Sequence, residues 1–379
     1  MAASARGGGA YAGAMDFALD DDQTLIVQTV RRFVDKEVRG WAGDADRAAE
    51  APARLTAVAG ELGFFLDAVP EASGGLLDGG YAHLTRALRG LELGRGCSAM
   101  AALLESNVEP ALAVGRWGSD AAKAALFASL ADGGIATMAR DNRGTLTIEA
   151  DGADLRVTGK LGPTPALARA SHALVLALHD GAPIAFLLTT ADARVTPLAP
   201  SAWRAAAWGS AVLEDVRVPV IARGDDVTLV LAWYRTSLAA RAAGVAVAAM
   251  EYARHYARER VQFGQPIARF ESMIGLRDDA LTAAAAARLM ALHAAWLCDR
   301  ATDATSIAAA ADAASRARVV AGDAVRQATI DAVQIFGGYG FVNDYPVEKL
   351  MRDARPYEQL VGDERFERVL ADPDRTGGA

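Results

Sequence analysis

The sequence has few residues of the kinds that build disulfide frameworks or metal centres. Its 379 residues include two cysteines, Cys97 and Cys298, and five histidines. The cysteines lie far apart and no histidine pair has a metal-ligand spacing, which disfavours both a disulfide scaffold and a bound metal. A reducing cytoplasm is therefore the expected location.

The chain also lacks an excess of positive charge and a long apolar run. Lysine and arginine total 39 against 47 aspartate and glutamate residues, so the formal net charge is −8. A nucleic-acid surface needs a basic stripe, and this balance argues against one. No uninterrupted apolar stretch reaches the ~20 residues of a membrane-spanning helix. The first 15 residues are small and Gly-rich without the apolar core of a signal peptide, so we expect a disordered extension, with Met15 as a candidate start.

What the chain does contain is a large apolar fraction, 52% of its residues, whose spacing changes twice along the sequence. Helical periodicity behind three aspartates, as in "QTLIVQTVRRFVDKEV", gives way to β-branched runs between Gly, Asp and Pro, and then to long apolar helical stretches. This predicts a mostly α, α+β fold with long bundle helices at 226–260, 268–300 and 304–337. The predicted divisions are an extension at 1–15, a helical domain at 16–132, a small antiparallel β-barrel domain at 133–224, a helical bundle at 225–371 and a tail at 372–379.

Six short motifs carry a family resemblance. They are "VPEASGG" at 69–75, "LELG" at 91–94, "VTGK" at 157–160, "LEDVRVP" at 213–219, "RERVQFGQPIARFE" at 258–271 and "QIFGGYGFVNDYPVEKLMRDAR" at 334–355. Together, in this order, they resemble the flavin-dependent acyl-CoA dehydrogenases from Met15 to about Leu370. The resemblance implies an N-terminal helical domain, a middle β domain and a C-terminal four-helix bundle. It also implies a tetramer that binds FAD and an acyl-CoA and passes electrons to an electron-transfer flavoprotein.

The resemblance further implies residues that contact the FAD of a neighbouring subunit. Arg260 matches an arginine near the pyrophosphate, where a guanidinium suits paired phosphate oxygens, and Gln262 and Phe263 accompany it. A second matching segment contains glycines that allow a phosphate to approach the backbone, although a glycine-capped helix end is an equally good and compatible explanation. That segment consists of Gln334, Ile335, Phe336, Gly337 and Gly338. Arg235 matches an arginine near the acyl-CoA pocket.

The residues that would act on substrate are missing from the family pattern. The catalytic glutamate position is Val361, which cannot accept a proton, and the alternative position on a bundle helix is Tyr234, a phenol with a reference pKa near 10. Asp363 stands where a flavin-contacting threonine is usual, and Glu271 where a glutamine is usual. The Thr-Glu-Pro and Gly-Ser-Asp loop is reduced to "IATMARDNRGTL" at 135–146, and the tryptophan position after Lys160 is Gly162.

The missing residues are those that, in the family pattern, contact the subunit's own flavin and substrate. The residues that contact the FAD of a neighbouring subunit are kept. The first hypothesis is therefore the non-base-bearing subunit of a heteromeric acyl-CoA dehydrogenase, paired with an intact subunit. A second hypothesis is an autonomous enzyme that uses a displaced carboxylate, Glu358 or Asp363. A third is a non-catalytic acyl-CoA-binding or scaffold protein without flavin.

Overall fold

The structure is a computed structural model that describes residue 15 and residues 17–141 and 144–360. Val361, Asp363 and the predicted tail lie outside the described residues, as does the predicted N-terminal extension before Met15. The predicted domain boundaries stay predictions, but the change from helix to strand and back to helix occurs where the hydrophobic spacing changes.

Seven α-helices form the first part of the fold. A capping box between Asp20 and Gln23 begins the first helix, and Ser119 caps the seventh, which explains why acidic and hydroxyl residues precede these segments. The first two helices are joined by a π-helical turn over Val34–Val38. The seven helices are α1 (Asp21–Phe33), α2 (Arg39–Ala48), α3 (Ala53–Glu61), α4 (His83–Gly96), α5 (Ser98–Leu104), α6 (Val108–Trp117) and α7 (Asp120–Ala131).

Seven strands follow and form one bent sheet with the order β1-β4-β5-β7-β3-β2, in which β6 also pairs with β7. The strands are β1 (Ile135–Arg140), β2 (Leu146–Asp151), β3 (Asp154–Thr164), β4 (Ala170–His179), β5 (Ala182–Thr189), β6 (Arg194–Pro197) and β7 (Gly209–Arg223). The long β7 pairs with β3 and β6 along its first part and with β5 at its end. The sheet is mixed rather than wholly antiparallel. After β2 and β3 have formed the other side of the sheet, β4 returns beside β1 and runs parallel to it.

In the described residues after β7, three long helices and two short ones form the last part of the fold. A hairpin with two residues in each strand follows the first of these helices. These elements are α8 (Asp225–Glu259), β8 (Val261–Gln262), β9 (Gln265–Pro266), α9 (Glu271–Cys298), α10 (Ala304–Phe336), α11 (Pro346–Asp353) and α12 (Arg355–Gln359). Helix α8 is the centre of the fold and packs on α4, α9 and α10. Its crossing with α4 depends on two glycines, because a Cβ at Gly94 would lie 2.2 Å from the Arg241 carbonyl oxygen and one at Gly244 would lie 2.0 Å from that of Leu91.

By length and composition, α9 is the one helix of the described chain that would be able to cross a membrane. It is interrupted by charged and polar side chains such as Arg288 and His293, in agreement with the absence of an unbroken apolar run. One face of α9 packs along α8 and α10 and buries residues such as Ala284, Ala287 and Leu292, whereas Leu281 and Leu289 are exposed.

Candidate functional site

Arg260 follows the last residue of α8 and is held there by its backbone, whose N–H donates to the Tyr256 carbonyl at 2.9 Å. Its guanidinium is exposed and lies 5.9 Å from the centre of the Tyr339 ring. The β8–β9 hairpin that follows turns at Phe263 and Gly264, which have φ of +50° and +79°. This turn leaves Phe263 93% exposed, with Gln262 also exposed beside it. The residues predicted around Arg260 therefore project from one end of the bundle.

The last turn of α10 divides the second predicted segment between surface and core. Gln334 is exposed, but Ile335 and Phe336 are buried. The Phe336 ring stacks on Tyr256 with 4.2 Å between the ring centres. Ile335 and Phe336 thus anchor the end of α10 against α8, and of these three side chains Gln334 alone is free to meet a ligand from solvent.

Gly337 and Gly338 form the exposed corner after α10. Gly337 has φ +59° and ψ −132°, a conformation that side chains with a Cβ rarely adopt, and its N–H caps the helix by donating to Val333 and Gln334. A Cβ built on either glycine would meet nothing within 4 Å. Tyr339, next along the chain, lies under Arg260. The structure therefore brings the predicted arginine and the predicted glycines together at one open end.

Arg235 is buried on α8 rather than displayed in an open pocket. Its Nη1 donates to the hydroxyl of Ser315 on α10 at 3.1 Å, and the residue is 8% exposed. This contact ties α8 to α10. The part of Arg235 in substrate binding stays a prediction.

Tyr234, at the alternative base position, faces a cavity of about 20 Å³. That volume is room for about one water molecule. Burial raises the pKa of Tyr234 to about 12, so the phenol stays protonated at neutral pH. The cavity is lined by Glu105, Glu109, Thr137, Met138, Trp203 and Arg241, besides Tyr234.

The two glutamates of this cavity belong to a buried ion cluster. Arg86 donates to Glu105 at 2.7 Å and to Glu109 at 2.6 Å, and Arg89 donates to Glu105 at 2.8 Å. Burial would raise the pKa of Glu105, but Arg89 and Arg86 outweigh it and the pKa lies below its usual value. Both carboxylates are thus committed to arginines. These residues were not predicted from the sequence. The pattern that could have indicated them is a pair of like charges three or four positions apart within an apolar helical stretch, as in Arg86 and Arg89 or Glu105 and Glu109.

An aromatic cluster fills the space beside the cavity. The Trp203 indole N–H donates to the carbonyl of Asp353 at 2.8 Å, and its backbone N–H donates to the Asp353 carboxylate at 2.9 Å. The Trp208 indole donates to the Trp203 carbonyl at 3.0 Å, and Tyr357 packs edge-on to Trp203 with 4.8 Å between ring centres. These residues close the interior between the sheet and α11–α12.

The shortened loop of the sheet is closed by local hydrogen bonds. Asp141 accepts the backbone N–H groups of Thr145 and Leu146 at 2.9 and 3.0 Å. At the end of β3, where a tryptophan is usual in the family pattern, the Thr164 hydroxyl donates to the Gly162 carbonyl at 3.2 Å. The side chains of Asp141 and Thr164 therefore make hydrogen bonds within the chain.

Glu358, one of the two weak base candidates, lies half-buried on α12. Its carboxylate is 3.1 Å from Arg355 and 3.7 Å from Arg326. A carboxylate between two arginines is suited to holding α12 in place, whereas a general base needs access to a substrate proton.

Comparison with known proteins gives the chain its family. Residues 20–134 match the acyl-CoA dehydrogenase N-terminal domain, and residues 225–369 match the acyl-CoA dehydrogenase C-terminal domain. A probable acyl-CoA dehydrogenase of Bacillus subtilis, YngJ, is 30% identical over 387 residues, which cover 94% of this chain and 98% of that protein. The chain belongs to the acyl-CoA dehydrogenase family. A second acyl-CoA dehydrogenase of Bacillus subtilis is 42% identical over 144 residues, which cover 38% of this chain and 36% of that protein.

Two solved structures confirm the predicted fold class of this acyl-CoA dehydrogenase homologue. Butyryl-CoA dehydrogenase from Megasphaera elsdenii superposes with a TM-score of 0.82 at 25% identity, covering 94% of this chain and 98% of that one. A chain solved in work on the electron transferring flavoprotein of Acidaminococcus fermentans has a TM-score of 0.82 at 26% identity, covering 96% of this chain and all of that one.

The members of this family are oxidoreductases that use FAD and act on the CH–CH bond of an acyl-CoA, so the described residues can be tested for their fit to FAD. The exposed end around Arg260 fits, since it offers a guanidinium and two open glycines to a pyrophosphate. The interior around Tyr234 does not fit, because a cavity of about 20 Å³ holds neither a flavin ring nor an acyl chain. The described residues at the Arg260 end are therefore compatible with the pyrophosphate of FAD.

Proposed function

We propose that this chain is the non-base-bearing subunit of a heteromeric acyl-CoA dehydrogenase, in which it completes the FAD site of an intact partner subunit. One contrast carries the proposal. The end containing Arg260, Gly337 and Gly338 is exposed and open, whereas the cavity beside Tyr234 has room for about one water molecule.

In the complex, FAD would accept a hydride from the β-carbon of an acyl-CoA whose α-proton is removed by a carboxylate of the partner. Arg260 would hold the pyrophosphate, since no carboxylate among the described residues is paired with its guanidinium. The open backbone of Gly337 and Gly338 would lie against the same nucleotide, with Gln334 beside it. Electrons would leave through an electron-transfer flavoprotein, and the complex would be a cytoplasmic hetero-tetramer.

The same contacts explain why the chain alone should be a poor enzyme. Glu105 and Glu109 are held by Arg86 and Arg89, and Tyr234 has its pKa raised to about 12 by burial. Among the described residues that line the cavity, no carboxylate is therefore free of an arginine partner. Since a general base contributes roughly 10²–10⁴ in rate, its absence leaves the isolated chain with little dehydrogenase activity.

Flavin content tests the proposal directly. The chain is purified alone and after co-expression with an intact acyl-CoA dehydrogenase encoded beside it, and the flavin absorbance of both preparations is measured. We expect a colourless chain alone and one FAD per pair in the complex. One FAD per chain in the isolated protein would overturn the proposal.

A matched pair of variants locates the contact. Arg260→Gln should lower the flavin content of the co-purified complex while the partner still co-purifies. Arg169→Gln removes the same charge from an exposed arginine near the β4 strand and should change nothing. Equal flavin loss in both variants would contradict a specific role for Arg260.

The two alternative hypotheses predict other outcomes of the same preparations. Activity of the isolated chain that disappears in Glu358→Gln or Asp363→Asn would establish an autonomous enzyme with a displaced carboxylate. Acyl-CoA binding without flavin in either preparation would establish a non-catalytic scaffold. The ion pairs of Glu358 with Arg355 and Arg326 do not favour a catalytic role for that carboxylate.

A further inference from the structure

A cavity of about 480 Å³ lies where α2, the loop before β7 and the segment leading into α11 meet beside α8. This volume is within the range of roughly 300–1,000 Å³ that small-molecule sites occupy. Tyr345 lines the cavity and also packs edge-on to Tyr339, with 5.6 Å between ring centres. The cavity is therefore a neighbour of the proposed FAD contact, and Arg260, Gly337 and Gly338 are not among the residues that line it.

The cavity wall carries more cations than acids, and its acids are already paired. The two acidic side chains of the wall, Asp46 and Glu348, both accept hydrogen bonds from Arg352, at 2.7 and 2.6 Å. Of the other wall cations, Arg39 pairs with Glu251 and Arg47 with Asp44. An entering anion would thus meet little repulsion from free carboxylates.

Arg204 differs from these arginines. It is half-buried and lines the cavity, yet within the part of the chain that the structure describes it makes no hydrogen bond or ion pair. Its guanidinium nitrogens keep access to solvent, so a ligand oxygen can take the place of water as their acceptor. An oxyanion in the cavity would provide the missing acceptor.

The backbone places Arg204 with little freedom. The preceding residue, Trp203, is buried and makes two hydrogen bonds to Asp353. Consecutive residues point in different directions, so this anchor fixes one side chain in the core and leaves the next at the cavity wall. A fixed backbone at this residue lessens the ordering that ligand binding requires, although the side chain itself must still be ordered.

We propose that this cavity binds a phosphate ester of about nucleotide size, with the phosphate on Arg204. The guanidinium accounts for the phosphate, since its planar donors match phosphate oxygens. The volume accounts for an organic body larger than phosphate alone. Tyr252, Tyr345 and Asn343 provide aromatic and hydrogen-bonding surface for that body.

Titration calorimetry of the full chain with ADP, adenosine and inorganic phosphate tests the proposal. We expect saturable binding of ADP, and weaker binding of adenosine and of phosphate because each lacks half of the recognised groups. Arg204→Gln should weaken ADP binding by about tenfold or more, and Arg204→Lys by less, because the ammonium keeps the charge without the fork. No saturable binding of ADP, or phosphate binding as tightly as ADP, would overturn the proposal.

Two further variants separate this site from the FAD contact and from general charge effects. Arg223→Gln removes an exposed arginine at the end of β7 and should leave ADP binding unchanged. Arg260→Gln shows whether ADP binds at the proposed FAD contact instead, and thermal unfolding should confirm that all the variants are folded. Loss of ADP binding in Arg260→Gln, with binding kept in Arg204→Gln, would place the nucleotide at the other site and contradict the inference.

Discussion

The carboxylate of Asp299 accepts the backbone N–H of His83 at 2.6 Å, and so caps the first turn of α4 from the end of α9. The same carboxylate accepts the N–H of Leu84 at 3.0 Å. Above this cap the His83 ring is buried and stacks on Trp233, with 5.1 Å between ring centres. Burial lowers the pKa of His83 to about 3 and raises the pKa of Asp299 to about 6. Two neighbouring groups therefore give stability an opposite dependence on pH.

His83→Phe should make the protein less sensitive to acid. The folded protein holds His83 neutral below the pH at which it would protonate in the unfolded chain, because its pKa falls from 6.5 to about 3. The stability it contributes is present above pH 6.5 and is lost as the pH falls toward 3. Thermal unfolding between about pH 4 and 7 should therefore have a smaller slope in the variant. His255→Phe, on the exposed side of α8, is the control, and equal slopes in both variants would contradict the assignment.

Asp299→Asn should change the same slope in the opposite direction. A carboxyl whose pKa is raised from 3.8 to about 6 contributes stability below pH 3.8 that is lost as the pH rises through 6. Without Asp299, nothing at this site offsets the stability that is lost through His83 as the pH falls. The unfolding temperature should therefore fall more steeply on acidification than in the unaltered chain. The measurement is the same series of melting curves, and a flatter slope would show that the cap does not titrate in this range.

Glu109→Gln tests the buried ion cluster. The substitution removes one of the two carboxylates that Arg86 holds and leaves Glu105 as the other, and breaking a buried pair typically costs about 3–5 kcal/mol. Urea unfolding should show a loss of stability of that order. Asp312→Asn breaks the solvent-exposed pair with Arg316 and should cost less than about 1 kcal/mol. A similar small loss in both variants would mean that the cluster is hydrated.

The long helices were predictable because their signals are local. The prediction of 304–337 for one bundle helix compares with Ala304–Phe336 in the structure, where Asp303 caps the start and Gly337 the end. The prediction of 226–260 compares with Asp225–Glu259 for α8. Hydrophobic period and capping residues lie within a few positions of each other, so the sequence alone can reveal them.

The filled interior was not predictable because it depends on contacts between distant parts of the chain. Trp203 meets Asp353 across 150 positions, and no local pattern marks either residue as a partner of the other. The pairing of β1 with β4 in parallel has the same origin, since it depends on where β2 and β3 go. The sequence motifs indicated the exposed end around Arg260. The small volume of the cavity beside Tyr234 could not be read from motifs, because it depends on how distant segments pack together.

Gly337 and Gly338 provide a test that separates folding from ligand contact at the open end. Gly337 has φ +59° and ψ −132°, so Gly337→Ala should cost about 1–3 kcal/mol of stability from backbone strain alone. Gly338 has no positive φ, and a Cβ there meets nothing within 4 Å, so Gly338→Ala should leave the isolated chain as stable as before. In the complex with a flavin-bearing partner the same Cβ would occupy the space that the nucleotide needs, and flavin content should fall. Unchanged flavin content in a folded Gly338→Ala complex would show that the cofactor does not approach this corner.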